Sequence, residues 1–131
     1  GAVRLDVATA PETITDCNCS ICSRLGALWA YYHPDQVTLH AAEDALESYV
    51  RRDGPLEEAG WQPVLAFLRC GTCGCASHWR GFDLHHPRMG VNARLMPPEV
   101  SVAARVRRLD GAVTWRYLDE PDPAETPTPK Q

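Results

Sequence analysis

The first residues of the chain alternate in polarity, with Val3, Leu5 and Val7 on one face and Arg4 and Asp6 on the other. Successive side chains of an extended backbone point to opposite faces, so this period marks a half-buried strand. Short segments of strand character recur along the chain. Leu28 to Tyr32 is rich in aromatic residues and ends at His33-Pro34-Asp35, a turn signal. Val37 to His40 and Ser48 to Arg52 come next, the second stopping at Asp53-Gly54-Pro55. Leu56 to Gln62 is polar and irregular and suits a helical turn. Val64 to Leu68 is apolar and leads into a cysteine cluster, and Ser77 to Arg80, Gly90 to Met96, Val102 to Leu109 and Ala112 to Leu118 complete the set. The last two are joined by Asp110-Gly111, a dipeptide that favours a tight hairpin. Helices are expected only at Ser23 to Ala27 and at Pro97 to Val100, where proline fits a first turn. The pattern predicts a mostly-β domain of at least seven short antiparallel strands, without a long amphipathic helix.

Composition sets the boundaries of that domain. After Leu118 the sequence becomes DEPDPAETPTPKQ, with four prolines and four acids in thirteen residues, so residues 119–131 are expected to be a disordered tail and residues 1–118 the folded domain. A chain of 131 residues suits one such domain and not two. No apolar stretch approaches the ~20 residues that span a bilayer. GAVRLDVATA at the start has no continuous apolar segment of the signal-peptide kind. A cytoplasmic location without a membrane partner is expected. Thirteen basic against seventeen acidic residues give a formal charge of −4. That balance lacks the basic face that nucleic-acid binding requires. Arg51-Arg52 and Arg107-Arg108 are read as solvated charges at strand edges.

The six cysteines fall into two groups, Cys17, Cys19 and Cys22 in C-x-C-x-x-C and Cys70, Cys73 and Cys75 in C-x-x-C-x-C. A disulfide framework suits small secreted chains, and a bridge between residues two or three apart closes a strained loop. Thiolates converging on one ion carry no such strain, so both groups are read as metal ligands. Soft thiolates with a structural role favour redox-inert zinc. Arg69-Cys70-Gly71-Thr72-Cys73-Gly74 reads as a zinc knuckle that needs further ligands from elsewhere. The first group supplies three thiolates from one loop. If protein does not fill the fourth position, that ion has the open site of a catalytic zinc.

The stretch Cys17-Asn18-Cys19-Ser20-Ile21-Cys22-Ser23-Arg24-Leu25-Gly26-Ala27 resembles the centre of the glutathione-dependent formaldehyde-activating enzyme family, which includes the centromere protein V domain. The resemblance runs on through Phe67-Leu68-Arg69-Cys70-Gly71-Thr72-Cys73-Gly74, Gly90-Val91-Asn92-Ala93-Arg94-Leu95, Leu109-Asp110-Gly111 and Trp115. It implies an Mss4-like zinc-binding β-domain with two zinc sites, the triad Cys17, Cys19 and Cys22 holding the ion of the active site. It also implies that Cys70 and Cys73 share a structural zinc with an N-terminal C-x-C-G. Gly1-Ala2-Val3-Arg4 is similar to the residues on the C-terminal side of that motif, so either the other half-site precedes Gly1, as expected, or this protein lacks half of its structural site. Two positions depart from the family, which commonly has His between the first two cysteines and a basic pair after the third. Here they are Asn18 and Ser23-Arg24, which puts recognition of the two glutathione carboxylates in doubt. Cys75 reads either as a spare structural ligand or as a buried free thiol.

Three thiolates leave a zinc centre net anionic, a weak Lewis acid for water but suited to a soft, exchangeable fourth ligand such as a substrate thiol. The activity implied by the resemblance is that of a carbon–sulfur lyase promoting addition of an aldehyde to a thiol such as glutathione. Its catalytic residues would be Cys17, Cys19 and Cys22, with Arg24 contacting an anionic substrate, and its partners a small thiol and a small aldehyde. Two other classes compete: a zinc-stabilised binding domain without catalysis, and a thiol-redox or metal-handling protein. Among the histidines, His78 beside Trp79 is the better functional candidate. His33, His40, His85 and His86 read as solvated or packed residues. Trp29, Tyr31 and Tyr32 are candidates for a pocket wall or for the core.

Overall fold

The computed structural model describes residues 1–50 and 64–121. Among these residues the fold is mostly β, with 44% strand, 17% helix and two short α-helices. Nine strands run along the described residues: β1 Val3–Val7, β2 Thr13–Cys17, β3 Leu28–Tyr32, β4 Val37–Ala41, β5 Leu46–Val50, β6 Leu65–Cys70, β7 Ala76–Gly81, β8 Met89–Asn92 and β9 Arg105–Leu109. Helix α1 spans Ser20–Leu25 and helix α2 spans Pro98–Ala103. Among the described residues no helix is long and apolar enough to cross a membrane.

Strands β1 and β4 pair antiparallel in a two-stranded sheet, and the other seven form one sheet in the order β5-β6-β7-β8-β3-β2-β9. Every neighbour in the large sheet is antiparallel except β2 and β9, which run parallel from Thr13↔Arg105 to Cys17↔Leu109. Alternation along the strands divides the core between the two faces of this sheet. Ile14, Ala30, Tyr32, Met89 and Val91 join Leu5, Val7 and Val37 of the small sheet on one side. On the other, Trp29, Trp79 and Leu109 surround Cys17, Cys19 and Cys22. Ile14 and Trp29 are almost wholly enclosed, and such burial contributes on the order of 2–3 kcal/mol per large apolar side chain.

Several sequence expectations are revised. Gly90 to Met96 is not one strand: β8 stops at Asn92, whose side chain accepts from Arg94 N–H and caps a 3₁₀ turn over Ala93–Leu95. In Val102 to Leu109 only the second half is extended, because α2 runs to Ala103. Asp110-Gly111 makes no two-residue hairpin. That turn needs positive φ at both central residues, and neither Asp110 nor Gly111 adopts one; among the described non-glycine residues Trp115 alone does, at 58°. Residues 112–118 form turns joined to β9 by a single bridge, Leu109↔Tyr117. Asp110 Oδ2 accepts instead from the backbone and hydroxyl of Thr114, a side-chain alternative to strand pairing. Strand β2 has no counterpart among the strands expected from the sequence. The expected end of β5 at Arg52 and the helical turn at 56–62 lie outside the described residues. At the start of the expected tail, Glu120 receives two hydrogen bonds from Arg107 of β9, at 2.6 and 2.8 Å, and Asp119 accepts from Arg108 N–H.

Candidate metal centre

The first cysteine group sits where strand β2 turns into helix α1. Cys17 closes β2 and occupies its inward face, between the solvent-facing Asp16 and Asn18. Cys19 is the extended residue before α1, at φ −62° and ψ 159°. Its carbonyl accepts from the backbone N–H and the hydroxyl of Ser23, at 3.0 and 2.8 Å, which starts the helix without a side-chain cap. Cys22 then lies on the buried side of α1, and Gly26, in the left-handed region at φ 60°, ends the helix. The strand end, the reversal and the first helical turn thus aim three side chains at one point. Their sulfurs all lie within 4.8 Å of one another, and each residue is buried. Zinc–sulfur bonds of about 2.3 Å set tetrahedral thiolates about 3.8 Å apart. The donor set therefore fits a soft metal ion with small side-chain adjustments.

Two neighbours touch these sulfurs. The indole Nε1–H of Trp29 donates to Cys22 Sγ at 3.2 Å. Gly111 lies so close to Cys17 that a Cβ added there would be 2.5 Å from Cys17 Sγ and 3.2 Å from Cys19 Cβ. A hydrogen bond from the Cys22 thiol pulls the Cys17 pKa down to about 6, helped by the backbone N–H groups of Cys19 and Gly111 and opposed by burial. The same contact and burial push Cys22 up. The shared contact thus favours the thiolate form at Cys17 and the protonated form at Cys22. Beyond lies an aromatic shell. Tyr31 meets Trp79 edge-on at 5.8 Å, and Phe67 lies 5.9 Å from Trp29. Thr15 and Tyr117 share a hydrogen bond of 3.2 Å between their hydroxyls. Burial raises the Tyr31 phenol to about 12.

The second group occupies the turn from β6 to β7. Gly74 N–H donates to the Cys70 carbonyl at 2.8 Å and Cys70 N–H to the Cys75 carbonyl at 2.9 Å, with Gly74 at φ 76°. The backbone N–H groups of Cys73 and Thr72 point at the Cys70 sulfur and hold its pKa down, as in a metal knuckle. The Cys73 thiol contacts both Cys70 and Cys75, and pushes the Cys75 pKa up. Cys70 is buried, while Cys73 and Cys75 are exposed, so Cys75 is not the buried thiol expected from the sequence: it lies in the turn before β7, outside the core. Among the described residues, only Cys17, Cys19 and Cys22 form a group of three metal-ligating side chains gathered within 4.8 Å.

Other sequence candidates fall away from the triad. Arg24 is exposed and turns back on its own helix, donating to the Ser20 carbonyl at 2.6 Å. His33 caps the short turn at Pro34–Gln36, His40 pairs with Asp6 at 2.8 Å, and His86 pairs with Asp83 at 3.1 Å. His78 is buried beside Ser77, whose hydroxyl is 2.9 Å from Nδ1, and burial lowers its pKa to about 4. Of the aromatic trio, Trp29 and Tyr31 face the triad while Tyr32 enters the opposite core and donates to the Thr9 carbonyl. Gly111 is a contact of the triad that sequence reasoning does not single out. Its one sequence signal, a glycine after Asp110, points to a turn.

No protein-family profile and no curated protein matches this sequence. Among solved structures the fold is similar to that of a Rhodobacter sphaeroides protein from a structural-genomics programme. The TM-score is 0.55 at 18% identity, covering 79% of this chain and 89% of the other.

Proposed function

We propose that Cys17, Cys19 and Cys22 bind one zinc ion with an exchangeable fourth position, and that the chain promotes addition of a small aldehyde to a small thiol. The observation that carries this reading is the convergence of three buried sulfurs within 4.8 Å, contributed by a strand end, a turn and a helix. The sequence resemblance to the glutathione-dependent formaldehyde-activating enzymes supplies the reaction class. Zinc would supply a soft, exchangeable coordination position at which a substrate thiol is held as thiolate. In the reaction the substrate sulfur forms a bond to the carbonyl carbon, the carbon–oxygen double bond becomes single, and the thiol proton ends on that oxygen. No oxidant or reductant is needed. The chain's own part is to hold the sulfurs, to donate from Trp29 to Cys22, and to surround the site with aromatic side chains that limit water. Arg24, folded onto its own helix, reaches an anionic substrate only by releasing Ser20. The second cysteine group is assigned a structural zinc through Cys70 and Cys73, whose amide-to-sulfur geometry suits it.

A second reading, a zinc-stabilised binding domain without catalysis, has one observation in its favour: the triad residues are only 5–7% exposed, as in closed structural sites. Cys19→Ser separates the two, because a neutral hydroxyl is a poor zinc ligand. The measurement is metal content per chain, thermal melting with and without a chelator, and thiol addition to formaldehyde monitored by loss of free thiol. Catalysis predicts that Cys19→Ser loses one ion and the activity with a modest fall in melting temperature. A wild type that binds the ion, melts many degrees higher than the variant and accelerates no addition refutes the enzyme. A wild type that binds no metal refutes both readings.

A further inference from the structure

A ligand that is to join the triad must get past the groups covering it, since Cys17, Cys19 and Cys22 are each at most 7% exposed. Most of the cover is tied into ladders. Trp29 lies on β3, Leu65 and Phe67 on β6, Trp79 on β7 and Leu109 on β9. Among the described residues, the loop from Asp110 to Tyr117 is different. It crosses the triad at Gly111 and is anchored to the sheet at its Tyr117 end, by the bridge Leu109↔Tyr117, the hydroxyl bond between Tyr117 and Thr15, and the Arg107 guanidinium over the Tyr117 ring. Ala112, Val113, Thr114 and Trp115 are exposed, Trp115 at 70%. Trp115 is also held at φ 58°, a conformation uncommon for a bulky residue.

The group that keeps this loop down is a side chain of the metal-binding segment itself. Asn18 Nδ2 donates to Asp110 Oδ1 at 2.9 Å, and Asn18 Oδ1 accepts from Ala112 N–H at 2.9 Å. Both bonds straddle Gly111, pressing its backbone against Cys17. The rest of the loop is braced from within. Thr114 N–H and hydroxyl donate to Asp110 Oδ2, Trp115 N–H donates to the Asp110 carbonyl at 2.7 Å, and Asp110 N–H donates to the Arg116 carbonyl at 2.9 Å. Breaking the two Asn18 bonds therefore frees the Gly111 side of the loop to swing away from Cys17 about the Tyr117 anchor, with its own turn intact.

We propose that residues 110–115 form a latch over the cysteine triad, fastened by Asn18 and hinged at the Tyr117 anchor, and that the latch opens to admit the ligand taking the metal's fourth position. This rests on the reading of the triad as a metal site with an exchangeable ligand. Asn18 is then a positioning residue that sets how fast thiols reach the ion. Because it lies between Cys17 and Cys19, any shift of those two residues on binding metal moves the fastening directly.

The test uses the full chain loaded with cobalt(II), whose thiolate charge-transfer absorption reports occupancy of the triad. Association of mercaptoethanol and of glutathione is measured by rapid mixing in the wild type, Asn18→Ala and Thr114→Ala, with thermal melts of each. A latch predicts that the wild-type rate levels off at high thiol, at the same plateau for both thiols, because opening is common to both. Asn18→Ala should raise that plateau roughly ten- to thirty-fold, as the loss of two net hydrogen bonds implies. Thr114→Ala, which loosens only the internal turn, should raise it several-fold and covers the case in which Asn18→Ala does not fold. A melting temperature that falls without any change in plateau would mark a merely structural role and overturn the latch. So would rates that rise linearly with each thiol and match between wild type and variants. A chain that never acquires the charge-transfer band refutes the metal reading itself, and the latch with it. A loaded chain indifferent to Asn18 and Thr114 refutes the latch alone.

Discussion

Replacing Gly90 with alanine tests the packing beneath the triad. Gly90 is on β8, opposite Trp79 of β7 in the register Trp79↔Gly90. Its φ lies outside the left-handed region, which Gly26 and Gly74 alone occupy among the described glycines. The backbone thus accepts an L side chain, and only space forbids it. A Cβ at this position would sit 2.2 Å from Trp79 Nε1, 2.6 Å from Cε2 and 2.9 Å from Cδ1. Relief requires the indole to move by about 1 Å or more. It is braced by Tyr31, 5.8 Å away edge-on, and by the cluster around the cysteines. Overpacking of this kind costs about 1–3 kcal/mol, and a clash with a buried ring belongs at the upper end. In a domain of this size about 3 kcal/mol lowers the melting temperature by roughly 10 °C. The assay is thermal and urea unfolding of four metal-loaded chains: wild type, Gly90→Ala, Trp79→Leu and the double variant. Because the penalty comes from the ring, it should largely vanish in the Trp79→Leu background, a coupling of at least ~1 kcal/mol. A Gly90→Ala chain melting within a degree of wild type would refute the reasoning, as would an undiminished penalty once the indole is gone.

Two further outcomes rest on the same geometry. Burial, aided by the charge of Arg80, holds the folded pKa of His78 at about 4 against an ordinary 6.5, so between those values the unfolded chain binds a proton that the folded chain refuses. The stability contribution is whole above pH 6.5 and lost as pH falls toward 4, up to about 3 kcal/mol. Urea midpoints across that range should decline more steeply in wild type than in His78→Phe, and equal slopes would exclude the assignment. Trp29→Phe keeps a ring beside the cysteines but removes the donor to Cys22 Sγ. Cobalt affinity should drop on the order of ten-fold, read by chelator competition, and an unchanged affinity would mean that the indole only packs.

Strands β1, β3, β4, β6 and β7 are legible in the sequence because hydrophobic alternation and turn residues are local signals. The triad is legible for a related reason, since three ligands in six residues need only one short turn to converge. Strand β2 is not, because Thr13-Ile14-Thr15-Asp16 shows one apolar side chain. Its inward threonine is acceptable inside only because Tyr117, 102 residues away, supplies a hydroxyl 3.2 Å from it. The parallel partnership of β2 and β9 has no local signature either. Asp110-Gly111 misleads for the same reason: Asn18, distant in sequence, offers the carboxylate of Asp110 a partner that a hairpin would not use. Arg24 has the charge to meet an anionic substrate, but proximity along a helix does not fix where a long side chain goes.

The pairing of β2 with β9 also bears on how the molecule is made. Asn18 and Asp110 stand 92 residues apart. A ribosome adding about 5–20 residues per second exposes the three cysteines several seconds before it makes the segment that will cover them. Contacts of such long separation close late in folding. The nascent chain therefore presents an uncovered thiol trio while the rest of the protein is still being synthesised. An ion can enter then without any loop having to move, and the loop after β9 covers it once it is made.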